Sequence, residues 1–121
     1  MNAEHIPVLD REVLLRRLGG NEDVVVQVYL DIAESFPRRL EQCRQALDDR
    51  DLETIRTIAH TIKGSAATAG ADRAAFFASR LDDTVRQTPP SIENVTTAFG
   101  ALESSIAELI ALIDSPEGVG S

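Results

Sequence analysis

Apolar residues recur at spacings of three and four along most of the chain, in five stretches separated by short polar, glycine- or proline-bearing breaks. The first stretch is short, from Asp10 to Leu18, with Val13, Leu14 and Leu18 on one side. Asp10 stands as its N-cap and Gly19-Gly20 as its stop. Asn21 caps a second, long stretch that reaches Asp48, with a predicted core stripe of Val26, Tyr29 or Leu30, Ala33, Phe36, Leu40, Cys43 and Leu47. Pro37 lies inside that stripe and predicts a kink or a break, because proline removes a backbone donor and crowds the preceding turn. Val25, Val28 and Ile32 make a second apolar face on its front half, to be covered by the first helix or by a partner.

The third stretch, Asp51 to Ala69, places Leu52, Ile55, Ala59, Ile62, Ala66 and Ala69 at alternating spacings of 3 and 4, and Gly70 ends it. A fourth, Asp72 to Gln87, carries Ala74, Phe77, Ala78, Leu81 and Val85 on one face. After the turn "TPPS", Ser91 caps a fifth with Ile92, Val95, Phe99, Leu102, Ile106, Leu109 and Ile113 in the same register. Four long amphipathic helices with short connections predict an all-α, antiparallel up-and-down four-helix bundle with a short additional N-terminal helix. The bundle domain is expected over residues 10–113, with residues 1–9 and 114–121 as tails.

Composition narrows the function more than the fold. The formal net charge of -8 disfavours nonspecific nucleic-acid binding, which requires a basic surface. One cysteine, Cys43, excludes an internal disulfide; on an apolar stripe it reads as a small buried hydrophobe. "MNAEHIPVLDREV" lacks the apolar core of a signal peptide, and no apolar run approaches the roughly 20 residues of a membrane span, so a cytoplasmic protein is expected. His5, His60 and Cys43 offer no paired metal-ligand spacing, and His5 falls in the expected tail. An initial Met and a short polar end favour a free-standing protein over a piece of a larger kinase.

One stretch carries candidate chemistry: "AHTIKGSAATAGA", Ala59 to Ala71. Each helical residue advances about 100°, so with Ala59 and Ala66 at the centre of the seam, His60 lies to one side, toward solvent. Arg56 and Lys63 flank it one turn away, and Gly64 and Ala67 continue its stripe. Neutral imidazole is nucleophilic without a separate base, and two neighbouring cations suit it to carrying a phosphoryl group. Gly64 clears space beside the ring, at a helix-propensity cost of about 1 kcal/mol. Periodicity alone leaves the bland alternative standing: a lone surface histidine, with Gly64 serving close helix packing.

His60-Thr61-Ile62-Lys63-Gly64-Ser65, with Gly70 ten positions after the histidine, resembles the signature of histidine-containing phosphotransfer (HPt) domains. The likeness extends over residues 8–113. It implies that His60 accepts a phosphoryl group through Nε2 from a receiver-domain aspartate and passes it reversibly to another receiver. It further implies that Lys63 stabilises that group electrostatically, that Gly64 keeps the approach open, and that Ser65 and Gly70 are structural. Arg56 is outside the signature, so its role rests on position alone.

The implied partners are receiver domains of a hybrid sensor histidine kinase and of a response regulator, which supply the divalent ion, Mg being the expected one. The chain itself is expected to be a monomer without intrinsic cofactor, ATP site, nucleic-acid partner or membrane contact. Val28, Ile32 and Ala67 are the expected docking residues. Two departures from the family pattern blur the branch: Ile62 replaces the commoner leucine, and "SRLDD" stands where many members have Leu-Glu. The rival readings are the phosphotransfer domain of a chemotaxis-type kinase, a kinase dimerisation domain, and a helical adaptor that is never phosphorylated. A dimerisation domain carries an acidic residue after its histidine, where Thr61 stands here.

Overall fold

The computed structural model describes Ala3 and residues 5–115. Among them are five helices and no strand: α1 (Arg11–Arg17), α2 (Glu22–Asp48), α3 (Leu52–Thr68), α4 (Asp72–Val85) and α5 (Ile92–Asp114). Four of the five start where the sequence places a side-chain acceptor. Asp10, Asn21, Asp51 and Ser91 accept from the backbone N–H groups of Val13, Val24, Thr54 and Asn94, which helix geometry leaves without an internal partner. Hydrogen bonds from the Thr54 hydroxyl and backbone N–H hold the Asp51 carboxyl below the usual carboxylate range. That cap therefore stabilises α3 at neutral pH and is lost as pH falls through the lowered value.

Each of the long helices packs on two others, in the cyclic order α2, α3, α4, α5 and back to α2. Short connections make consecutive members antiparallel, so this is the expected up-and-down bundle. The most extensive interface joins α3 to α4. Ala59, Ala66, Ala74 and Ala78 are all fully buried, and such small side chains let two helix backbones approach closely. Larger side chains from the other helices, including Phe36, Leu102, Ile106 and Leu109, complete the core.

Helix α2 departs from the predicted register. Its buried positions are Val25, Tyr29, Ile32, Ser35, Phe36, Cys43 and Ala46, while Val26 and Leu47 are half-buried and Leu30 is exposed. The two apolar faces of its front half are thus one broad face, because α1 packs on α2 and widens the buried arc. Pro37 does not break the helix, which runs for 27 residues around it. The proline is exposed, so its ring meets solvent while Phe36 and Ser35 hold the inner face.

Residues 6–9, expected as part of a tail, are tied to the bundle. The Arg73 backbone N–H donates to Pro7 O (3.0 Å), its Nε donates to Ile6 O (2.9 Å), and Val8 and Leu9 pack on the core. The Asp10 N–H donates to Gly70 O at 2.8 Å. Asp114 closes α5, and residues 116–121 of the expected C-terminal tail lie outside the described residues. By length and composition α5 is apolar enough to cross a membrane, contrary to the expectation from its sequence. In the bundle its stripe Val95, Phe99, Leu102, Ile106, Leu109 and Ile113 is buried against other helices.

Gly70 combines two demands. Its φ is +78°, a left-handed conformation, and an added Cβ would collide with the Asp10 carbonyl oxygen. Gly70→Ala is therefore expected to lower the free energy of unfolding by about 2 kcal/mol or more, read by urea denaturation. An unchanged midpoint would refute the clamp between the N-terminal segment and the α3–α4 turn. Cys43 gives a second test. Burial, reinforced by Glu103 and offset in part by Arg44, pushes its thiol from 9.0 up to about 11. The native thiol should ignore a thiol reagent at pH 8 and react fully in urea. The unfolded chain ionises first, so this group's contribution to stability declines as pH rises from 9.0 toward about 11.

Candidate functional site

The rotational setting of α3 separates its residues into two populations. Ile55, Ala59, Ile62 and Ala66 are buried at the bundle seam, whereas His60, Gly64, Ser65 and Ala67 are exposed and Lys63 is half-buried. No hydrogen bond or ion pair engages the side chain of His60 or Lys63 among the described residues. Both imidazole nitrogens thus remain open to an external reactant, on a rigid helix that fixes the direction of approach.

Gly64 sits one turn beyond His60, and a Cβ built on it would meet nothing within 4 Å. Close helix packing is therefore not its reason. Nothing in the bundle offsets the roughly 1 kcal/mol that glycine costs inside a helix relative to alanine. Ser65 accepts the Ala69 N–H through its carbonyl, within the last turn before Gly70 reverses the chain. Beyond Ala67 the helix end is held from outside: Arg17 of α1 donates through Nη1 to Ala67 O (2.9 Å) and Thr68 O (2.7 Å). These carbonyls carry the partial negative charge of a helix C-terminus, which a cation complements.

On the α4 side, His60 shares a shallow hollow with Glu53, Arg56, Thr57 and Thr61 of α3 and with Arg86, just past α4. The threonine hydroxyls are already committed, Thr57 to Glu53 O and Thr61 to Thr57 O. Arg56 is not free beside the ring as its position implied. Its Nε lies 3.7 Å from Oδ1 of Asp82, and Arg86 Nε donates to the same oxygen at 3.2 Å. The Asp82 side chain is only 4% exposed, whereas both arginines are half-exposed. Sequence reasoning overlooked Asp82 and Arg86. Two signals were available: Asp82 is four residues after Ala78 on the buried face, and Arg86 follows it by one helical turn.

The expected docking residues do not form one exposed patch. Ile32 is 3% exposed and cannot meet a partner. Val28 is half-buried against the core, and only Ala67 is fully at the surface. The large apolar residues α2 does expose are Val24 and Leu30.

The open space at Gly64 yields a direct expectation. Gly64→Ala should raise stability by about 0.5–1 kcal/mol in urea denaturation, the helix-propensity gain undiminished by any clash. Destabilisation would mean that the glycine serves the bundle after all.

Comparison with known proteins agrees with this geometry. The family model for the Hpt domain matches residues 27–112, from the early turns of α2 almost to the end of α5, and leaves α1 outside. No curated protein and no solved structure matches the chain. Hpt domains are phosphocarrier modules that act by histidine phosphotransfer with receiver domains in two-component phosphorelays. With an all-helical bundle, an exposed histidine and a family match over well over half its length, this chain belongs to the Hpt domain family.

Proposed function

We propose that His60 is the phosphoryl acceptor and donor of this domain. The observation that carries the reading is its placement: an exposed ring with no protein partner, beside a glycine whose missing side chain leaves open space. In the forward step, the Nε2 lone pair attacks the phosphorus of a receiver's aspartyl phosphate. An N–P bond forms, the P–O bond to the aspartate breaks, and the carboxylate leaves with the electron pair while Nδ1 keeps its proton. The reverse step delivers the group to the aspartate of a second receiver.

This chain contributes a positioned nucleophile and room for the incoming domain, while the divalent ion, Mg by expectation, belongs to the receiver. Lys63 sits one turn from the ring and places its charge near the transferred oxygens. The partners proposed are the receiver of a hybrid sensor histidine kinase upstream and that of a response regulator downstream. The chain works as a cytoplasmic monomer without kinase activity of its own.

The test mixes the protein with phosphorylated receiver domains and follows the label. Wild-type protein should become labelled, and His60→Gln should not; label transferred to the His60→Gln variant would refute the assignment. ATP alone should label neither. Lys63→Ala should slow transfer about ten-fold, equivalent to about 1.4 kcal/mol, with the melting curve unchanged. Gly64→Gln should slow it as well, because a long side chain then occupies the approach.

A further inference from the structure

Asp82 presents an energetic question that the bundle alone does not answer. A carboxylate 4% exposed on the inner face of α4 loses most of its hydration, and a hydrophobic residue of similar size commonly stabilises such a position equally well. Its compensation is two arginines from different sides: Arg86, the C-cap of α4, donates through Nε to Oδ1 at 3.2 Å, and Arg56 on α3 pairs with the same oxygen by charge, its Nε at 3.7 Å. A guanidinium is a planar fork of five donors, and the Nε edge is the one turned to Asp82. The terminal Nη groups of both arginines have no acceptor among the described residues. Both arginines line the same hollow as His60, where the threonine hydroxyls already donate to backbone carbonyls. Apart from their Nε contacts to Asp82, the guanidinium groups are the cationic donors among the lining residues, with Glu53 the one carboxylate there.

We propose that Asp82 is a positioning residue that grips Arg56 and Arg86 by their Nε edges and so presents their Nη groups as a seat for the phosphoryl oxygens carried on His60. This rests on the reading of His60 as phosphoryl acceptor. A phosphoryl dianion offers three strong acceptor oxygens, the complement of two guanidinium edges. Free arginine side chains lose rotamer entropy when they close on an anion, and anchoring at Nε removes part of that cost before the phosphoryl group arrives. Lys63 approaches from the other direction along the helix, so the group is held from both sides of the ring.

Phosphoramidate phosphorylates accessible histidines without a receiver, which separates this test from the phosphorelay reading. The full-length protein is labelled with it, and the second ionisation of the phosphoryl group is followed by 31P NMR titration. Contact with the arginines favours the dianion, so Arg86→Ala and Arg56→Ala should each raise the titration midpoint, whereas Asp82→Asn removes the anchor and a negative charge together and should raise it less than either. The change expected is about two- to five-fold in proton affinity, as for a partly exposed charge pair. Arg86→Lys keeps the charge but cannot hold Asp82 and the phosphoryl group together, and should recover less than half of the effect. Should Asp82→Asn unfold the bundle, the two arginine variants decide, since both side chains are half-exposed. Unchanged midpoints in natively folded Arg56→Ala and Arg86→Ala overturn the proposal, as does full recovery by Arg86→Lys. If receivers fail to transfer while the 31P response follows expectation, the phosphorelay reading falls and the arginine seat stands.

Discussion

The close approach of α3 to α4 is the constraint on which the site depends. Buried alanines on both helices, Ala59 and Ala66 facing the interior from α3 and Ala74 and Ala78 from α4, allow little rotational freedom. A rotation of α3 by one residue, about 100°, would drive His60 or Lys63 into the bundle and bring an alanine to the surface. Burying an unpaired cation is costly enough to exclude that alternative. The same seam brings Arg56 of α3 within reach of Asp82 of α4, so packing and site electrostatics have one origin.

The charge distribution shows why a net value says little about a site. The chain carries a formal charge of -8, yet the hollow beside His60 gathers Arg56 and Arg86, and Lys63 follows the ring by one helical turn. Counter-charge lies beneath that face, in Asp82, and at its rim, in Glu53. A buried carboxylate is a different device from an exposed one: it neutralises part of the local charge while fixing where the remainder points. A half-exposed surface pair would be worth little and would direct nothing.

Much of this was legible along the chain because helical periodicity is a local property. The caps Asp10, Asn21 and Ser91, the seams of α3 and α5, and the exposure of His60 all follow from spacing and from the chemistry of helix ends. The family pattern in His60-Thr61-Ile62-Lys63-Gly64-Ser65 is local too. Errors arose where a third element intervened. The register of α2 was off by one at Val26 and Leu47 because a helix packed on two sides buries an arc too wide for a single stripe to describe. Ile32 is buried for a reason its own helix does not carry, since spacing marks a face as apolar without saying whether another element covers it.

Spacing along the chain specifies the helices, their order and the outward direction of His60, since each rests on residues within a few turns, and four such amphipathic faces on short connections imply a bundle. The packed fold supplies what remains. It showed that Gly64 faces open space rather than a neighbouring helix, and that Gly70 is wedged against Asp10, sixty positions earlier in the chain. It also joined Arg56 to Asp82 and tied Ile6 and Pro7 to Arg73. These depend on distances between segments far apart in sequence, and periodicity carries no information about such distances. It says which face of a helix is buried, and packing alone says against what.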